Sequence, residues 1–408
     1  MKTIARSIKT TILILLLPVN ASQIYAQDTN SAPKVLWQKE FGCGEGTSCA
    51  PHEARINTAG NSLFITGTSF RPKTYTDGKF WLCEIDQNDG NEIRRNVIKE
   101  ATKASSASVG YGSWVAKGLK VTSDGKIYTV GKFGDSTQSF LKTNREGTNI
   151  SVKSVYDSGL DEGNNTIWRM IDLPDGNFLL IGRDRNSKAL VIKLDAEGDR
   201  LWKKTYGAGK PSFFTDCVSV GSKGDFVIVD WSSETGGEQS LTELTDIRVL
   251  KCNANGEKMS EITFPGGSPS GQKFPQICQL DSGNFAVAYD KGTTLMSTDY
   301  YIKVFSPVFE LLREKPMAKS ENSQPVYFHI RTVPGGGFVA AHCVNLRNIR
   351  VYKYDKDGNE IGKVFMDQIN GFGDFSLECS EDKVFIVSTT IPENREYITK
   401  VNVIAIEL

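Results

Sequence analysis

Ile167-Trp168-Arg169-Met170-Ile171 runs into Pro174-Asp175-Gly176, and Asn177-Phe178-Leu179-Leu180-Ile181-Gly182 follows at once. After a short break come Leu190-Val191-Ile192-Lys193-Leu194-Asp195-Ala196-Glu197-Gly198 and then Leu201-Trp202-Lys203-Lys204-Thr205-Tyr206-Gly207. Aliphatic, β-branched and aromatic residues fill four short runs, and Gly, Asp, Asn and Pro fill the gaps between them. That is the pattern of four antiparallel strands, a to d, joined by turns. Glycine at Gly176 and Gly198 supplies the positive φ that so tight a turn demands.

The unit recurs along the chain. Its a–b turn and following apolar run read Ala59-Gly60 then Leu63-Phe64-Ile65, Asp124-Gly125 then Ile127-Tyr128-Thr129-Val130, and Asp175-Gly176 then Phe178-Leu179-Leu180. Lys223-Gly224 then Phe226-Val227-Ile228, Ser282-Gly283 then Phe285-Ala286-Val287, and Gly335-Gly336 then Phe338-Val339-Ala340 continue the series. A seventh copy, Glu381-Asp382 then Val384-Phe385-Ile386-Val387, has lost the glycine. The c–d turn repeats too, in Asp86-Gln87-Asn88-Asp89-Gly90, Asn144-Arg145-Glu146-Gly147, Asn253-Ala254-Asn255-Gly256 and Asp355-Lys356-Asp357-Gly358. Repeats of this length built from four strands predict an all-β fold, a seven-bladed β-propeller.

The two ends of the chain predict how the ring closes. The last copy stops after a c strand, Val401-Asn402-Val403-Ile404-Ala405-Ile406, whereas Val35-Leu36-Trp37-Gln38-Lys39-Glu40-Phe41-Gly42 reads as a d strand with no blade before it. It matches Leu201 to Gly207 nearly position for position. Residues 35–41 are therefore expected to complete the last blade, which removes an open sheet edge. Residues 35–408 then form a single domain.

The cycle Trp-x-Lys-x-aromatic-Gly, Asp-Gly-aromatic-apolar and a strand ending Asp-x-x-Gly resembles secreted bacterial propeller repeats of the delta-sixty-like and quinoprotein-like kind. The resemblance covers Val35 to Leu408 and implies architecture. Relatives of that kind include cofactor enzymes, polysaccharide lyases, hydrolases and pure binding modules, so it does not choose among functions. Quinone-dependent members surround a cofactor and a calcium ion with distinct repeat motifs, and no such constellation occurs here; no cofactor and no metal is expected.

Ahead of the first strand, Lys2, Arg6 and Lys9 precede Ile12-Leu13-Ile14-Leu15-Leu16-Leu17-Pro18-Val19. A basic start, a short apolar core and small residues at Ala26 (or Ala21) describe a secretory signal peptide over 1–26, followed by a linker over 27–34. The core is shorter than the roughly 20 residues that cross a bilayer. The expected compartment is the periplasm or the exterior, and the expected state a monomer without a transmembrane segment. Lys plus Arg and Asp plus Glu are equal at 48 each, which removes the electrostatic case for nucleic acid as a partner. In an oxidising compartment Cys43 and Cys49, close together in a glycine-rich loop, are expected to form a disulfide. Cys83, Cys217, Cys252, Cys278, Cys343 and Cys379 fall inside strands and read as small buried fillers.

Turns a–b and c–d are tight and share one face of the disc; the longer b–c and d–a connections share the other, where binding residues collect. Counting back from each a–b turn marks His52, Lys117, Trp168, Asp216, Pro275, Phe328 or His329, and Asp374 as the channel rim. Two residues further on are Ala54, Leu119, Met170, Val218, Ile277, Ile330 and Ser376, which predicts a polar rim above a greasier channel. His52, Lys117, Trp168, Asp216, His329 and Asp374 are the candidate ligand contacts. His-Glu-x-x-His, Cys-x-x-Cys, Gly-x-Ser-x-Gly and the phosphate-binding Gly-x-x-x-x-Gly-Lys motif are absent, and Asp355 to Glu360 falls on a repeated turn. The leading expectation is an exported binding module for a saccharide or a protein surface. The rival is a polysaccharide lyase or glycoside hydrolase. In it His52 or His329 would move the proton, Asp216 and Asp374 would be paired acids, and Arg55, Arg169, Arg331 or Lys117 would meet a uronate.

Overall fold

The computed structural model describes residues 24–25, 34–57, 60–71, 79–98, 118–132, 138–148, 151–155, 166–186, 188–207, 212–232, 246–266, 275–294, 297–318, 328–344, 348–367, 375–390 and 398–408. Their strands form seven antiparallel sheets, each with four strands in a–b–c–d order. In blade three these are Thr166–Asp172, Phe178–Arg183, Ala189–Leu194 and Arg200–Tyr206. Each innermost strand neighbours the next around a ring, and Ser376–Cys379 of blade seven packs against Ser48–Asn57 of blade one. The fold is the expected all-β, seven-bladed propeller.

Its glycines serve two ends at once. In the c–d turn of blade three the Gly198 N–H donates to the Asp195 carbonyl at 3.1 Å with φ at +83°. Asp195 Oδ1 then accepts from the N–H groups of Glu197 and Asp199. Asn253 and Asp355 repeat this arrangement, so the acidic run from Asp355 is turn chemistry. These turn glycines also carry the preceding blade. A Cβ on Gly90 would meet the Trp37 ring at 2.6 Å, and one on Gly256 would meet Trp202 at 3.0 Å. Trp37 and Trp202 of strand d therefore lie on the next blade's c–d turn. In blade five Phe309 takes the glycine's place at φ +67°, with its ring turned in against Phe285.

The core lies between blades. Tyr128, Phe140 and Phe178 meet with centroids 4.8 to 5.8 Å apart between blades two and three, each contributing about 1.5–3 kcal/mol through burial. The strand cysteines are fillers as expected, with Cys379 half-buried and the other five buried. Burial pushes the Cys83 and Cys278 thiols up to about 12.

The chain closes the ring with its N-terminal strand. Lys34–Phe41 pairs antiparallel with Lys400–Glu407, from Lys34↔Glu407 to Phe41↔Val401, with Leu36 bulged out. Cys43 and Cys49 are disulfide-bonded, with Cα atoms 5.7 Å apart. Beside them the Cys49 N–H donates to the Thr399 carbonyl, and the Thr399 hydroxyl donates to the Cys49 carbonyl. Ile24–Tyr25 adds a short fifth strand along Phe365 and Met366 of blade six. Those two residues belong to the stretch expected to be removed with the signal peptide.

Candidate functional site

Seven innermost strands bring their side chains to a common axis, and the pairing of each a strand with its b strand sets the levels along it. Glu53, Arg169, Asp216, Gln276, His329 and Ser376 share one level. Arg55, Lys120, Arg331 and Glu378 lie two residues further, toward the tight-turn face.

The first level is closed and internally paired. Asp216 is 0% exposed. Its Oδ1 meets Arg169 Nε at 2.8 Å and accepts from the Cys217 N–H, while Oδ2 accepts from the Ile277 N–H. Ser376 accepts from the Ala54 N–H and donates its hydroxyl to Glu53 at 3.1 Å. These bonds tie neighbouring blades, four to five and seven to one. His329 is buried, with its ring edge-on to Phe375 at 4.7 Å.

The second level is an ion network. Arg55 pairs with Glu378 and also donates from Nε to the Leu119 carbonyl. Burial works against its charge, but Glu378, Glu53 and Asp172 outweigh that and hold it more firmly protonated than an ordinary arginine. Arg331 reaches across blades with looser contacts, 3.9 Å to Glu53 and 3.8 Å to Glu378. Burial, with Arg169 close by, draws its pKa down. Burial also pushes Glu378 above the usual carboxylate range, with Arg55 and Arg331 pulling the other way. Lys120 binds Asp172 at the tight-turn end.

The axis is thus a plug of mutually neutralised charges, and the expected greasy channel is corrected. Ala54, Leu119, Met170, Ile277 and Ile330 pack into the clusters between blades, and Val218 lies against one of them. A residue in an innermost strand has neighbouring blades on both flanks, so alternation divides it between an interblade core and the axis.

Of the rim residues, His52 is half-buried, with Nε2 3.0 Å from the Thr68 hydroxyl, and it bulges from the register between Pro51 and Glu53. Trp168 holds the same bulged place between Ile167 and Arg169. Asp216 belongs one residue deeper, because the a–b turn of blade four is one residue longer than that of blade three. Lys117 and Asp374 lie outside the described residues. Glu53, Lys120, Asp172 and Glu378 were missed by counting from turns. Their signal was a charged residue inside an otherwise apolar strand, as in Ser376-Leu377-Glu378-Cys379. Away from the axis, His342 is stacked between Tyr300 and Tyr352, and burial, then Arg350, lowers its pKa to about 3. Among the described residues no group of three or more His, Cys, Asp or Glu could hold a metal ion, and no helix is long and apolar enough to cross a membrane.

No protein-family model matches the chain, and no curated protein matches it in sequence. Solved structures do share its architecture. The polysaccharide lyase Uly1 superimposes with a TM-score of 0.56 at 10% identity, over 88% of this chain and 90% of that one. A protein of unknown function from Dyadobacter fermentans gives 0.50 at 9% identity, over 92% and 99%. Quinohemoprotein alcohol dehydrogenase from Comamonas testosteroni gives 0.49 at 11% identity, over 92% and 76%. At such identities what the chain shares with its neighbours is the β-propeller fold.

Proposed function

We propose that this protein is an exported binding module that takes a saccharide at the mouth of the propeller's central channel and does no chemistry on it. The observation that carries this reading is the pairing of the charged side chains along the axis. A general acid or base must reach the substrate, yet Asp216 has no exposed surface and is bound to Arg169 and two backbone N–H groups. Of the cations expected to meet a uronate, Arg55 and Arg169 are bound to Glu378 and Asp216, and Arg331 lies between Glu53 and Glu378. Such a network holds geometry rigidly, which suits binding. The likeness in fold to a polysaccharide lyase supports a saccharide as the kind of ligand proposed. The leader expected over residues 1–26 and the Cys43–Cys49 disulfide support export.

The test is an array of immobilised neutral and uronate-bearing glycans, followed by incubation of bound polymers with the protein. Saturable binding without shortened chains is expected. New ultraviolet absorbance from unsaturated uronate ends, or released reducing ends, would give the site to the lyase or hydrolase instead.

A further inference from the structure

Among the described residues, blade six alone has a fifth strand. Ile24–Tyr25 lies on the outer edge of Glu360–Met366, with Ile24 opposite Met366 and Tyr25 opposite Phe365. The outer strand of this blade is also unusual at the place covered. Each strand d sends a residue near its end into an interblade core: Phe41, Ile98, Val155, Tyr206, Phe264, Met317 and, in blade six, Met366. One residue earlier the other blades hold Glu40, Val97, Ser154, Thr205, Thr263 and Pro316, all exposed. Blade six holds Phe365, half-buried against the core between blades five and six, with Arg350 over its ring at 4.7 Å and Tyr352 edge-on at 6.0 Å. Val364 before it is buried as well. A sheet edge among apolar residues leaves backbone N–H and C=O groups without partners where water is scarce, and a further strand supplies them.

The direction of the chain fits this docking. Ile24 to Tyr25 runs from Met366 toward the tight-turn end of blade six, and Lys34 opens strand d of blade seven at that same end, opposite Glu407. Only residues 26–33 lie between these two neighbouring outer strands. Whether the docked pair survives export depends on where the leader is cut. Cleavage calls for small residues at the cut and two places before it, just past the apolar core. Val19-Asn20-Ala21 offers this at the end of the core. Ile24-Tyr25-Ala26 lies further on and brings the larger Ile24 to the restricted place. We infer that the leader is cut after Ala21, not after Ala26, and that the outer edge of Glu360–Met366 is the docking site of the new N-terminal segment, whose Ile24–Tyr25 stays on the mature protein as a fifth strand. One N-terminal arm then fastens two blades, covering the edge of blade six before completing blade seven. The inference shortens the expected leader to residues 1–21 and is independent of the ligand the propeller binds.

The experiment expresses the full chain with its own leader and determines the intact mass of the exported protein. A chain beginning at Ser22 is expected; one beginning at Gln27, or still carrying the leader, would overturn the inference. Amide hydrogen exchange then tests the strand in wild type and in Tyr25→Pro, since proline has no N–H to give to a ladder. Intact mass and melting temperature show that the variant is processed at the same place and folded. Exchange within Glu360–Met366 should rise about tenfold in Tyr25→Pro, the loss of about one hydrogen bond, while Arg200–Tyr206 of blade three keeps its wild-type rates. Equal exchange in the two proteins would overturn the docking even if the mass places the cut after Ala21. An equal rise in Arg200–Tyr206 would mean general loosening and would overturn a local role for Ile24–Tyr25 as well.

Discussion

The junction of blades seven and one and the junction of blades three and four use the same contact for different ends. In both, a strand-d tryptophan lies on the glycine of the next blade's c–d turn, Trp37 on Gly90 and Trp202 on Gly256. In both, a polar bond fastens that turn: Trp37 Nε1 donates to the Gln87 carbonyl, and the Tyr206 hydroxyl to the Gly256 carbonyl. At three–four the chain itself runs from one blade to the next, and Arg169 and Asp216 add an ion pair at the axis. At seven–one strand d comes from the opposite end of the sequence and is held by its ladder to Lys400–Glu407, by Thr399 and by the disulfide. The seam has a strand ladder and a disulfide where an ordinary junction has connectivity, because strand d there must be recruited from a distance at the cost of loop-closure entropy.

The strongest way to break this comparison is to delete residues 27–41. That exposes the edge of Lys400–Glu407 and strips Trp37 and Phe41 from the cluster containing Phe385 and Val403. Most of the folding free energy should go, about 5 kcal/mol or more, read as a lost cooperative transition in thermal unfolding. A truncated chain melting with full-length cooperativity and temperature would show the seam to be dispensable.

A smaller effect is expected from Cys43→Ser with Cys49→Ser. The disulfide closes a loop with a sequence separation of only 6, so its contribution should not exceed about 3 kcal/mol. Urea unfolding of wild type under reducing conditions should coincide with that of the double variant, and a reductant should not affect the double variant at all. Both thiols alkylatable in native exported protein would remove the bond from the seam.

The smallest effect sharpens the other side, in blade four. Asp230 is fully buried and bound by Arg248; burial, opposed by that arginine, pushes it up to about 6. The folded chain holds this proton more tightly than the unfolded chain does. Its contribution to stability therefore grows as pH falls from about 6 toward about 4. The slope cannot exceed about 1.4 kcal/mol per pH unit. Asp230→Asn should flatten that segment of the stability–pH curve relative to wild type. An unaltered curve would mean that Asp230 keeps an ordinary carboxylate pKa.

The sequence by itself determined the architecture of this protein, because that architecture is written in local terms. Glycine at Gly176, Gly198 and Gly256 marks turns whose backbone requires it, alternation marks the strands, and Val35 to Phe41 copies Leu201 to Tyr206 closely enough to be recognised as a displaced strand d. The charge plug was decided only by tertiary structure. Arg331 meets Glu53 and Glu378 across sequence separations that no period predicts, and whether Ala54 or Arg55 faces the axis depends on how the flanking blades pack. Asp216 was placed a residue too shallow for the same reason: turn length varies from blade to blade, and the register of an innermost strand is set by its partner strand, not by distance from the turn.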